Sequence, residues 1–233
     1  MMRVLMFQTQ VILKSIRSFQ RQPLSLLLLQ LPAALAAVLN EAIPAQTAST
    51  LEVAIALAII LPLLVGVTTF STAATYVHIK AESASPSLRD SFSFTLKSAR
   101  QWLPASFVVS VLVLLGLPLV VVGIYFSAIY LFVPHEVIDE PGRPISLYLN
   151  RSKKLAKLAL MTTLVVATLL LVIDFGLFIG AEQITETWIA GLSPRWKQLV
   201  ALLSFKALLS LGVGAIVNVG LSHLYLSLKE ART

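Results

Sequence analysis

The chain has 233 residues, of which 57% are apolar and only 12% charged, and its mean hydropathy is +0.87. That balance excludes an ordinary soluble domain, because a soluble fold of this length has too little polar surface to cover so much apolar side chain. The net charge of +7 does not indicate nucleic acid, since the basic residues flank apolar runs instead of lining one face. There is no cysteine, which excludes disulfides, thiol chemistry and thiolate metal sites.

The predicted solvent is a lipid bilayer. Leu, Val, Ile and Ala dominate runs of roughly 15 to 25 residues, long enough for membrane helices. Residues 1–22 carry Arg3, Lys14, Arg17 and Arg21, with Val4, Leu5, Val11, Ile12, Ile16 and Phe19 at helical spacing. This predicts an amphipathic helix in the headgroup plane, ended by Pro23. Leu24–Leu39 is the first apolar run. The same start fits a signal peptide, with Ala34-Leu35-Ala36 as its small-x-small site, and that alternative stays open.

Val53–Val77 is the second apolar run. Lys80, Arg89, Lys97 and Arg100 follow it, and Leu88, Phe92, Leu96 and Ala99 face one way. This predicts a second interfacial helix, with Ser85-Pro86 as its start. Residues 103–134 fit either one helix of about 48 Å or a hairpin broken at Gly116-Leu117-Pro118 with arms of about 24 Å. Charge decides. The hairpin gives six spans and places fifteen of the eighteen Lys and Arg on one side, whereas one helix gives five spans and a split of ten against seven. The positive-inside bias selects the hairpin and puts both termini in the cytoplasm.

An apolar run ends at Pro134 and an acidic turn with Glu136, Asp139 and Glu140 follows. These acids are expected to pair with Arg143, Arg151 or Lys153 across their own turn. A third basic amphipathic segment occupies 144–157. Leu158–Gly180 is the fifth span and Leu199–Tyr225 the sixth, with Trp188 and Trp196 in the outer loop between them, where such rings form an interfacial belt. Residues 1–22, 85–102 and 144–157 therefore each lead into a pair of spans.

The segment Pro134, Asp139, Arg151-Ser152 and Lys153-Lys154-Leu155 resembles the membrane domain found beside glycerophosphoryl diester phosphodiesterases, and related six-span bacterial membrane proteins of unassigned function. The turn between Asp139 and Arg151 is about two residues longer than that pattern has. The resemblance implies a polytopic helical membrane domain. The catalytic chemistry of the family belongs to a separate barrel, so no catalytic residue carries over.

Inside the sixth span Lys206, Ser210, Gly214, Asn218 and Ser222 recur every four residues and form one stripe. On the fifth span Thr163, Ala167 and Asp174 share a face, and Gly176 and Gly180 form a small-residue pair. Asp174 and Lys206 both lie toward the outer end, which allows them to meet. An unpaired charge at mid-bilayer costs about 2.5–3.5 kcal/mol, and pairing offsets much of that. The stripe reads as a packing seam fixed by one ion pair, or as a polar path for a proton, ion or headgroup. His78, His135 and His223 fall near the cytoplasmic ends of even-numbered spans. They are the residue types of a metal site, but interfacial side chains with polar tips in water are the preferred reading, and no metal or other cofactor is expected.

The sequence thus predicts an all-α, single-domain (1–233) protein of the bacterial inner membrane, with six spans in three hairpins, each preceded by a basic interfacial helix. The expected function is a non-catalytic module that binds membrane lipid or a protein partner. Arg151, Lys153 and Lys154 are candidates for anionic headgroups on the cytoplasmic side, and Asp174, Lys206, Ser210 and Asn218 for lipid or substrate. The alternative is a small transporter or channel that uses the polar stripe.

Overall fold

The computed structural model describes residues 2–35, 66–81, 87–116, 119–166, 168 and 195–231. Every regular element among them is α-helical. α1 is Met2–Arg21 and α2 Pro23–Leu28, with helix again at 31–35; α3 covers 66–80. α4 is Leu88–Lys97, α5 Ala99–Gly116, α6 Val120–Ile129, α7 Val133–Asp139 and α8 Ile145–Leu158, after which 160–166 is helical. α9 is Arg195–Glu230, 36 residues long.

Local chemistry sets the breaks. Pro23 opens α2 at a position where its missing N–H is not needed. α4 starts two residues later than Ser85-Pro86 suggests, and those two residues lie outside the described ones. Its cap is Ser87, whose Oγ accepts from the Asp90 amide at 3.1 Å and donates to the Asp90 carboxylate at 2.6 Å. At the other end the Trp102 indole donates to the Thr95 carbonyl at 2.8 Å, which ties the last turn of α4 to the first turn of α5.

The 103–134 region breaks where the hairpin reading breaks it. α5 ends at Gly116, and α6 packs back against α5. A Cβ at residue 116 would sit 2.9 Å from the Gly123 nitrogen, so only glycine permits this approach of two backbones. The acidic stretch differs from expectation. Glu136 and Asp139 belong to α7 and not to a turn, because Pro134 sits in the first turn with its φ preset and Glu136 favours the helix N-terminus. The turn itself is 140–144. Gly142 takes φ +87°, and the Tyr148 hydroxyl donates to the Glu140 carbonyl at 2.9 Å while accepting from the Arg143 amide at 2.7 Å. Ser152 of α8 closes the bend between α6 and α7: its Oγ donates to the Ile129 carbonyl at 2.9 Å and accepts from the Phe132 amide at 3.2 Å.

Among the described residues two segments, Val121–Asp139 and Leu211–Glu230, are long and apolar enough to cross a membrane. About half of the predicted second and fifth spans, and residues 36–39 of the first, lie outside the described residues. The main core gathers Tyr76, Trp102, Phe132, Val133, Val137, Tyr148, Leu155 and Tyr225, and a second cluster holds Leu26, Leu29, Ala74, Ile79 and Val219. Polar side chains share this interior: Gln30, Ser71, Thr75, Ser91, Thr95, Ser152, Thr163 and Ser222 are fully buried. The outside is apolar, with Leu24, Leu115, Val121 and Met161 between 68% and 80% exposed.

Candidate functional site

The ends of α3, α7 and α9 meet, and each brings a ring followed four residues later by a charge. Tyr76 precedes Lys80 by four residues, His135 precedes Asp139 by four, and Tyr225 precedes Lys229 by four. That spacing stacks a ring and a charge on one helix face, one turn apart. The three rings form a triangle: Tyr76 to His135 is 4.9 Å between centroids, His135 to Tyr225 is 5.1 Å, and Tyr76 to Tyr225 is 5.3 Å. The three charges meet one turn further on. Lys80 binds Oδ1 of Asp139 at 2.6 Å, and Lys229 binds Oδ2.

The tyrosines reinforce the same division. The Tyr76 hydroxyl donates to Oδ1 of Asp139 at 2.5 Å, and the Tyr225 hydroxyl to Oδ2 at 3.0 Å. Each carboxylate oxygen therefore takes one phenol and one ammonium from the same helix. Tyr225 also lies 3.2 Å from Oε1 of Glu136. The Asp139 side chain is 2% exposed, whereas Lys80 and Lys229 remain 50% and 44% exposed. Each lysine also stands 5.9 Å from the centre of the tyrosine ring one turn earlier.

His135 is fully buried in the ring triangle, and neither of its ring nitrogens has a hydrogen-bond partner among the described residues. Beside the triangle, Arg151 of α8 binds Glu140 at 2.6 Å and reaches Glu136 at 3.8 Å, and Arg143 lies 3.8 Å from Glu140. The Arg151 guanidinium holds the Glu140 carboxyl below the usual glutamate range, and the hydrogen bond it donates to Glu140 raises Arg151 in return.

A second polar group lies between α2, α3 and α9. The Asn218 amide donates to Oε1 of Gln30 at 2.7 Å, Gln30 donates to the Thr75 hydroxyl at 2.8 Å, and the Thr72 hydroxyl donates to Oδ1 of Asn218 at 3.0 Å. Gly214 leaves room for Gln30, since a Cβ there would come within 3.2 Å of Oε1. A shallow cleft lined by Ser18, Gln22, Leu26, His78 and Ile79 has room for about one water molecule and is too small for a small-molecule site.

Of the predicted site residues, Asn218 is in the polar seam and Arg151 is engaged with Glu140 and Glu136. Lys153 and Lys154 form no ion pair among the described residues, and Lys154 points to the surface. Lys206 and Ser210 fall within α9, and Asp174 lies outside the described residues, so the expected Asp174–Lys206 pair does too. The expectation for the acidic trio holds for Glu136 and Glu140. Asp139 instead takes its partners from α3 and α9, because α7 turns its last residue toward those helix ends. The three histidines are not gathered: His78 meets Ser91 and Gln22, His223 meets Ser18, and His135 sits in the rings. Among the described residues no group of three or more His, Asp or Glu is placed to hold a metal.

Sequence reasoning missed Tyr76, Lys80, Tyr225 and Lys229. The available signal was the ring-then-charge spacing repeated at the ends of three apolar runs. Comparison with protein-family models, with curated proteins and with solved structures finds no match to this chain.

Proposed function

We propose that this chain is a multi-pass protein of the bacterial inner membrane, with six spans in three hairpins, and that it is a non-catalytic module that docks anionic lipid through its basic interfacial helices. The observation that carries this reading is the orientation of α1 and α4. α1 turns Val11 and Ser18 inward and leaves Ile12 and Ile16 about half exposed, with Lys14, Arg17 and Arg21 on a third side. α4 buries Ser91 and Thr95 completely and packs Leu88 and Phe92 inward, yet leaves Phe94 46% and Leu96 67% exposed. In water such exposed apolar side chains would be unfavourable. In a headgroup layer the exposed apolar side enters lipid while the basic side meets phosphate. The kinship with the membrane domain of the phosphodiesterase family, carried by Pro134, Asp139 and Arg151-Ser152, belongs to the same proposal. Pro134, Arg151 and Ser152 have a part in the α6–α7–α8 corner, and Asp139 ends α7 but bonds to α3 and α9.

The test is native mass spectrometry of the chain released from its own membrane in mild detergent. Retained anionic phospholipid in defined stoichiometry supports the reading, a co-released protein supports the partner version, and a bare chain counts against both. A transporter using the sixth-span stripe is the second reading. The closed set of bonds at Gln30, Asn218, Thr72 and Thr75 favours a packing seam at that level instead. Flux in liposomes that Lys206→Ala abolishes, with the fold retained, would reverse that preference.

A further inference from the structure

We infer that Lys80 and Lys229, held apart and aimed by Asp139, form a clamp for a phosphate group. The inference rests on the membrane reading above only for where that phosphate comes from. Each lysine spends one contact on a different oxygen of a carboxylate that is 2% exposed, and about half of each side chain still faces outward. An ammonium has three donors, so each retains donors for a second acceptor. The tyrosine beneath each lysine fixes its stem, and the Tyr76 and Tyr225 hydroxyls lock the carboxylate between them. Lys80, Lys229 and Asp139 sum to one excess positive charge, with both cations on the outer side and the anion buried, while beside them Arg151 binds Glu140 and reaches Glu136, so the clamp rests on where its donors are held and not on net charge. Two ammonium groups pinned side by side at the ends of α3 and α9 suit a tetrahedral oxyanion, whose several oxygens two separate donors can share.

Asp139 makes the idea sharp. If attraction were only long-range electrostatics, Asp139→Asn would strengthen anion binding, because it removes a negative charge. If the carboxylate positions the lysines, the same change weakens binding. The measurement uses the full chain in phosphatidylcholine nanodiscs doped with phosphatidylglycerol, with retained phosphatidylglycerol read by native mass spectrometry. A parallel titration with inorganic phosphate in pure phosphatidylcholine is read by thermal stability. Retention of the lipid without a phosphate response assigns a headgroup, and a phosphate response assigns a free anion; either fits the clamp.

The expected result is that Lys80→Gln with Lys229→Gln weakens binding roughly tenfold or more, the equivalent of one charge-assisted hydrogen bond. A pair with the same change in charge, Lys153→Gln with Lys154→Gln, should lose less. Equal losses from the two pairs, tighter binding in Asp139→Asn, or no binding of either probe by the unaltered chain would overturn the clamp. Lipid that stays bound equally in all variants would do so while leaving the proposed function standing. If Asp139→Asn does not fold, the half-exposed lysine pair decides alone.

Discussion

Lys80 and Lys229 grip opposite oxygens of one buried carboxylate, each from a position four residues beyond a tyrosine that binds the same oxygen. Two helices far apart in sequence thus present one arrangement twice, and α7 supplies the anion at the equivalent place. The corner behaves as one unit, since removing the carboxylate strands two phenols and two ammonium groups together.

Stability should follow that asymmetry. Asp139→Ala should destabilise the fold by at least the roughly 1.5–3 kcal/mol of one charge-assisted hydrogen bond. Lys80→Gln alone, at a half-exposed side chain, should cost less than about 1 kcal/mol. Thermal unfolding in detergent compares them, and similar midpoints for both variants would remove Asp139 from the centre of the corner.

His135 supplies a ring where two polar atoms find no hydrogen-bond partner among the described residues. His135→Phe keeps the stack and removes those atoms, whose burial costs about 1–3 kcal/mol when unpaired. The variant should unfold at the same temperature as the native chain or higher. A clear loss of stability would mean that the imidazole has a bonded partner.

Glu140 should make stability depend on acid. Its carboxyl lies below the ordinary value of 4.5 because Arg151 binds the charged form. The contribution is therefore complete above about pH 4.5 and declines as pH falls through the lowered value. Glu140→Gln should flatten that part of the pH profile of the unfolding temperature and leave the neutral region unchanged. A profile that keeps its slope would assign the acid sensitivity elsewhere.

Gln30 and Asn218 should be energetically coupled. Single changes to leucine leave a polar partner without its bond, so the double variant should cost less than the sum by about 0.6–1.7 kcal/mol, the range for hydrogen bonds between membrane helices. A double-mutant cycle of unfolding midpoints reads this. Strict additivity would mean that the two amides do not interact.

Much of the helical order was legible because it is local. Amphipathic spacing and Pro23 bound α1 almost to the residue, Pro144 and the basic run bound α8, and Gly116 marked the hairpin corner. The acidic stretch of α7 reads as a turn because three acids around a proline look like a loop, although a proline in the first turn also starts helices. The partners of Asp139 were not legible. Lys80 and Lys229 are local neither to it nor to each other, and a charge count places them only on the same side. The inward turn of Ser91 and Thr95 was also hidden, since periodicity finds an apolar face without saying whether protein or lipid covers it.

The most direct test of the account is which side of the membrane its basic helices occupy. The chain has no cysteine, so each introduced thiol is unique. Gln20→Cys, Lys97→Cys and Lys154→Cys, together with Glu41→Cys between the first two predicted spans and Glu186→Cys between the last two, can be labelled with an impermeant maleimide in intact and inverted vesicles. The account predicts that the first three react only from the cytoplasmic face and the last two only from the opposite face. Reaction of residues 20, 97 and 154 from different faces, or of all five from one face, would contradict it.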